Sequence, residues 1–191
     1  MTVQANRQCD FSQQSRADRR ITGGILERAR ALPPESRRTG DGLAERAGMN
    51  ALDLLKEDHD VLKKYLEMAE EDGHHDKRDL ISRIGTHFRE HEAIEERVFY
   101  PALKEHPKAK DIVLEGYQEH HVVDILLNEL EQLATSDERW PAKLKVLKEN
   151  VEHHIEEEEG EMFKKARSVF DKDELEALGT RMESMKAGRP A

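Results

Sequence analysis

The sequence predicts an all-α protein: an antiparallel up-down-up-down four-helix bundle with a short extra C-terminal helix and a mostly disordered N-terminal tail. Three observations predict it. From Asn50 onward, apolar residues and single histidines recur at alternating steps of three and four along four long segments. Gly and Pro are sparse in that region while Glu, Lys, Leu and Ala abound, so strands have little to build on. The segments are joined by short turns, which force consecutive helices to lie antiparallel. An apolar content of 36%, low for a globular chain, fits a bundle with narrow seams.

Residues 1–48 show no sustained helical period and contain Gly23-Gly24, Pro33-Pro34 and Gly40-Asp41-Gly42; only Gly24 to Leu32 resembles a short helix. They read as a flexible Arg-rich tail, with Met49 a candidate internal start site just before the first strong helix. The bundle is expected over 49–168. Its first helix carries Leu52, Leu55, His59, Leu62 and Leu66 on one face and should end near Gly73. A second, from about Asp76 to Glu105, carries Leu80, Ile84, His87, His91, Ile94 and Val98, with Pro101 expected to kink its last turn. The third, from about Lys110 to Ala134, presents Val113, Gly116, His120, Val123, Leu127 and Leu130. The fourth, from about Asp137 to Arg167, presents Leu144, Leu147, Val151, His154, Glu158 and Met162. Residues 169–191 form a shorter helix and tail, the helix opened by the capping-box pair Asp171 and Glu174 and ending near Met185.

The formal charge of −10 is unevenly spread. Residues 1–48 hold nine arginines, no lysine and six acids, a net of +3, which leaves −13 for the remainder. So acidic a body is a poor partner for nucleic acid or an anionic membrane. The single cysteine, Cys9, offers neither a disulfide framework nor a thiolate metal site. With no run of about 18 apolar residues and no apolar signal-peptide core, a soluble, cytoplasmic protein is expected.

Each of the four seams places a histidine where a bundle ordinarily has Leu or Ile: His59, His91, His120 and His154. One such residue is most often a satisfied core histidine. Four at one level are a different matter, and their level follows from the numbering, because facing residues of antiparallel helices lie equally far from the turn between them. The midpoints of successive histidines fall at 75, 105.5 and 137, each at or beside an expected turn. With about 1.5 Å rise per residue, the four imidazoles should converge in one slice of the core. Glu95 and Glu158 follow His91 and His154 by four residues, one turn on along the same face.

Four imidazoles and two carboxylates in a dry core need partners. Imidazole with carboxylate and no thiolate suits iron, manganese or zinc. Six inward donors are too many for one tetrahedral zinc and fit two irons better. The chain also repeats internally: Asp58-His59 matches Glu119-His120, and His91 to Phe99 matches His154 to Met162, each with a Glu-Glu pair at the fourth and fifth positions after the histidine.

Over about Asn50 to Arg167, this order of H, HxxxE, H and HxxxE resembles the hemerythrin family, in particular the bacterial hemerythrin-like HHE cation-binding domains. The stretch from His91 to Pro101, with Glu95-Glu96 before an aromatic-Pro turn, is especially similar to the family's second helix. The resemblance implies a non-heme diiron centre, two Fe ions with an oxo or hydroxo bridge, Glu95 and Glu158 as bridging carboxylates, and an open position for O2, peroxide or nitric oxide. Manganese and zinc stand behind iron. Oxygen-carrying hemerythrins have a fifth histidine as HxxxH on the third helix, whereas the residues four away from His120 are Gly116 and Asp124. That departure shifts the expectation from O2 transport toward peroxide handling, catalase- or peroxidase-like, or toward sensing of oxygen, redox state or iron.

His87 and Glu92 are further candidate ligands. His87 stands one turn before His91, and Glu92 resembles a ligand position of sensor-type members but is turned about 100° from His91. His74, His75, His106, His121 and His153 read as surface residues, the run Glu156 to Glu159 as a solvated face apart from Glu158, and Tyr65, Tyr117 and Trp140 as packing residues, Tyr65 reaching the site edge. Alternatives are reversible O2 binding, iron storage, or a structural bundle without metal. A ferritin-like site would need Glu-x-x-His on two helices, and the spacing occurs only at Glu71 to His74, in a turn.

Overall fold

A computed structural model describes residues 48–71 and 76–188. The expected tail, its short helix, and His74 and His75 lie outside the described residues.

Helix α1 spans Ala51–Glu70 and starts where Asn50 caps it, the side-chain oxygen accepting from the backbone N–H of Leu52 and Asp53. Helix α2 begins at Lys77 behind the cap Asp76, runs as Lys77–Ile94, continues through a π-turn at Glu95–Phe99 and ends as Tyr100–Lys104. Helix α3 is Lys110–Gln132. Helix α4 runs as Trp140–Glu157, a second π-turn at Glu158–Met162, and Phe163–Val169. It starts three residues later than the sequence indicates, because Asp137 to Arg139 form a turn and Pro141, which lacks an N–H, takes the first helical turn. Helix α5, Lys172–Lys186, opens with the expected capping box of Asp171 and Glu174. Among the described residues there is no strand, and no helix is long and apolar enough to cross a membrane.

Helix α1 packs on α2, α2 on α3, α3 on α4, and α4 back on α1, closing a four-membered ring. The apolar faces pack in two blocks. One gathers Leu62, Leu66, Ile84, Phe88, Leu127, Trp140 and Leu147. The other gathers Leu52, Leu55, Phe99, Val113, Met162 and Phe163, together with Leu178 and Met182 of α5. Helix α5 lies close over the start of α1: a Cβ on Gly179 would stand 2.2 Å from the Met49 carbonyl oxygen, so only glycine permits the approach. Its cap is a local contribution to stability. Asp171→Ala is expected to cost about 1 kcal/mol, read as a lower urea midpoint with unchanged slope.

Candidate metal centre

Between the two apolar blocks lies a single polar layer. His59, His91, Glu95, His120, His154 and Glu158 are all 0–1% exposed, and within the described residues they are the only buried polar or charged side chains. The four helices place them in one slice, as the turn-midpoint arithmetic requires. Phe88 forms a floor, its ring edge-on to His120 and His154 at 5.7 and 6.4 Å, while Phe163 stacks on His59.

The donors form two histidine pairs with carboxylates between them. His59 and His91 have ring centroids 4.8 Å apart, and His120 and His154 4.7 Å apart. Glu95 Oε2 lies 3.2 Å from His91 Nε2 and 3.1 Å from His120 Nε2, touching both pairs. Glu158 Oε2 lies 3.2 Å from His59 Nε2, 4.0 Å from His91 Nε2 and 3.9 Å from His154 Nε2. Two overlapping groups of four donor atoms are compact enough to hold an ion: His91, Glu95, His120 and His154, and His59, His91, Glu95 and Glu158.

These contacts are close but poorly aimed as hydrogen bonds. His59 Nε2, His91 Nε2, both Glu95 oxygens and Glu158 Oε2 are buried with no hydrogen-bond partner. Burying that many polar atoms unsatisfied is costly, about 1–3 kcal/mol for each. Their atoms converge on shared points instead of on one another, an arrangement that fits cations bound by nitrogen and oxygen.

Both π-turns begin at the carboxylates. Tyr100 N–H bonds to the Glu95 carbonyl and Phe163 N–H to the Glu158 carbonyl, five residues back in each case. Pro101 cannot be their common cause, since the second turn contains Gly160 and no proline. The extra residue in each turn changes the helical phase after the carboxylate, and such bulges are frequent at functional sites. The expected kink at Pro101 is thus a π-turn that precedes it.

The far side of each imidazole faces another carboxylate. His59 Nδ1 meets Glu159 at 3.1 Å, His120 Nδ1 meets Glu96 at 3.1 Å, and His154 Nδ1 meets Glu119 at 3.0 Å. Asp58 stands 3.8 Å from His91 Nδ1, an ion-pair distance. Such partners fix the ring and turn Nε2 inward as the donor. Glu159 therefore leaves the solvated face to which its acidic run pointed. The signal for all four was in the internal repeat: the second Glu of each Glu-Glu pair, and the acid before His59 and His120.

Tyr100 is the other residue that periodicity missed. Its buried hydroxyl donates to Glu158 Oε1 at 3.0 Å and lies 3.4 Å from His120 Nε2, with its ring stacked on His120. Burial and the Glu158 and Glu95 charges hold the phenol well above its ordinary pKa, so it keeps its proton. A Cβ on Gly116 would stand 2.6 Å from this hydroxyl. The space one turn before His120 is filled by the phenol. Tyr65, expected at the site edge, instead packs against His87, ring centroids 5.3 Å apart.

His87 and Glu92 are not in either donor group. His87 is half-buried, and Phe88 takes the seam position in its place. Glu92 is half-buried, and burial followed by the Asp124 charge lifts its pKa to about 7. A trio of half-buried Glu119 and Glu157 with exposed His153 lies nearby, Glu119 already holding His154.

Charge in the layer is mutually dependent. Burial opposes protonation of His91 and His120, but Glu95 and the outer carboxylates outweigh it and raise them to about 10 and about 9. Burial likewise opposes the Glu95 anion, yet His91 and His120 hold it well below the ordinary carboxylate range. Without metal, protons on His91 and His120 compensate the carboxylates they face.

The profile of the hemerythrin HHE cation binding domain matches residues 50–166. No curated protein matches significantly. Among solved structures, the chain is similar to a hemerythrin HHE cation binding domain-containing protein from Mycobacterium kansasii, with 26% identity and a TM-score of 0.65, over 73% of this chain and 86% of that one.

Proposed function

This chain belongs to the hemerythrin HHE cation-binding domain family, and on that premise we propose that its six buried donors hold two iron ions in a centre that reacts with peroxide instead of carrying O2. The observation that carries the two-ion reading is that Glu95 and Glu158 each stand between both histidine pairs. His59 and His91 would hold one ion, His120 and His154 the other, and the two carboxylates would bridge. Iron so bound supplies redox chemistry and Lewis acidity.

The chain's own residues favour reaction over reversible carriage. Where a fifth imidazole would stand on α3 there is Gly116, and Tyr100 presents a protonated phenol beside it. That hydroxyl holds Glu158 Oε1 and places a hydrogen-bond donor inside the layer. Phe88 and Phe163 cover the imidazoles and exclude water. Glu159, Glu96 and Glu119 hold the Nδ1 of His59, His120 and His154 by hydrogen bonds and leave each Nε2 available.

Metal analysis and an optical spectrum of protein from iron-replete cells test this reading. Two irons per chain are expected, together with peroxide decay in stopped flow that exceeds free iron. One ion per chain, or decay no faster than free iron, would count against it, and reversible spectral change under O2 would restore the carrier.

A further inference from the structure

Taken alone, the six donors and the four outer carboxylates are related by the pseudo-twofold of the sequence repeat. Each half has two imidazoles, each backed by a carboxylate. The cations break this symmetry. In the His59 and His91 half, Glu159 Oε1 lies 3.3 Å from Lys63 Nζ and its Oε2 3.2 Å from Lys56 Nζ. Both oxygens of Asp58 accept from Lys186 Nζ, in the last turn of α5. In the His120 and His154 half, Glu96 and Glu119 receive no lysine or arginine among the described residues; Glu119 has only the exposed His153 at 3.8 Å besides His154. Three cations stand against two outer carboxylates on one side, and none on the other.

We propose that the two halves of the centre are electrostatically unequal, and that the His120 and His154 half holds its ion more tightly and fills first. The proposal rests on the two-ion reading above. A carboxylate on Nδ1–H pushes electron density toward Nε2 and strengthens it as a donor. A lysine on that carboxylate draws the density back and adds positive charge near the ion, in surroundings where charge is weakly screened. Lys186 counts most, since its side chain is 10% exposed, while those of Lys56 and Lys63 are 52% and 36% exposed and are partly screened by solvent. Helix α5, outside the ring of four helices, thereby acts on the centre through Asp58, with Lys186 as a positioning residue.

The test is calorimetric titration of the metal-free full chain with Fe(II) under anaerobic conditions. Two steps separated by about tenfold or more in affinity are expected, on the scale of outer-shell effects on metal binding. His154→Ala should remove the tighter step and His59→Ala the weaker one. Lys186→Met should strengthen the weaker step by roughly tenfold and leave the tighter one in place. Because Lys186 is packed against Asp58, the surface double variant Lys56→Gln with Lys63→Gln provides a test independent of folding, with a gain of about threefold in the weaker step at low salt. Two steps of equal affinity, a reversed order of loss in the histidine variants, or a gap that neither lysine variant narrows would overturn the inequality while leaving two ions per chain. A single ion per chain would instead overturn the two-ion reading.

Discussion

Removal of metal is expected to lower the melting temperature by roughly 10 °C or more near pH 9, and by clearly less near pH 7. A ligand present at a thousand times its dissociation constant adds about 4 kcal/mol to stability, and each kcal/mol moves the melting point of a domain this size by roughly 2–4 °C. The pH dependence comes from what replaces the metal. His91 and His120 are raised to about 10 and about 9 by the carboxylates they face, against an unfolded value of 6.5. A raised histidine contributes stability that is fully present below pH 6.5 and is lost as pH climbs through 9 and 10. Glu95 is lowered, so its contribution is present above the ordinary carboxylate range and is lost in acid. The metal-free protein is therefore most stable between the ordinary carboxylate range and about pH 6.5, and loses stability as pH rises from there toward 9 and 10. Above that range its carboxylates lose their compensating protons. The loaded protein has cations in their place, so the gap between the two forms widens with alkalinity. Scanning calorimetry with and without chelator from pH 6 to pH 10 measures this directly, and His91→Ala should abolish most of the metal-dependent part. A melting point that chelation leaves unchanged at every pH would return the chain to the reading of a structural bundle.

The second large effect is expected at Gly116 and Tyr100. Gly116→Ala places a methyl 2.6 Å from the phenol oxygen and 3.0 Å from Cζ, so the ring must shift. Overpacking of this kind costs about 1–3 kcal/mol, and the shift also breaks the bond to Glu158. Tyr100→Phe keeps the ring but leaves Glu158 Oε1 buried without its donor, a cost of about 1–3 kcal/mol. Both variants should slow peroxide decay by about tenfold or more, the scale of lost outer-shell support at a metal site. Stopped-flow rates normalised to bound iron provide the readout, with the melting point followed in parallel. A Tyr100→Phe protein with full iron and an undiminished rate would confine Tyr100 to packing.

Much of this molecule is written in short-range pattern. Leu52, Leu55, His59, Leu62 and Leu66 mark the buried face of α1, and Asp171 with Glu174 marks the start of α5, because helical period and capping are properties of a few neighbouring residues. Turn lengths add the third dimension. They set the level of His59, His91, His120 and His154, and with them the layer that also holds Glu95 and Glu158.

Contacts between helices were less legible. Periodicity alone does not choose between His87 and Phe88, which are 100° apart on α2, and the packing of the ring of four helices selects Phe88. The π-turns at Glu95 and Glu158 rephase the residues that follow, so that Tyr100 lies beside the layer, a shift that an ideal 3.6-residue period does not contain.

The sequence by itself determined the fold class, the helix boundaries to within a few residues, and the six side chains that share one buried level, since periodicity, caps and turn lengths act locally. Only the tertiary structure decided which carboxylate backs which imidazole, that Tyr100 fills the space beside Gly116, and that Lys186 reaches Asp58 across 128 residues of chain. Those pairings depend on how each helix is rotated against its neighbours, a quantity set by the packing of the whole core.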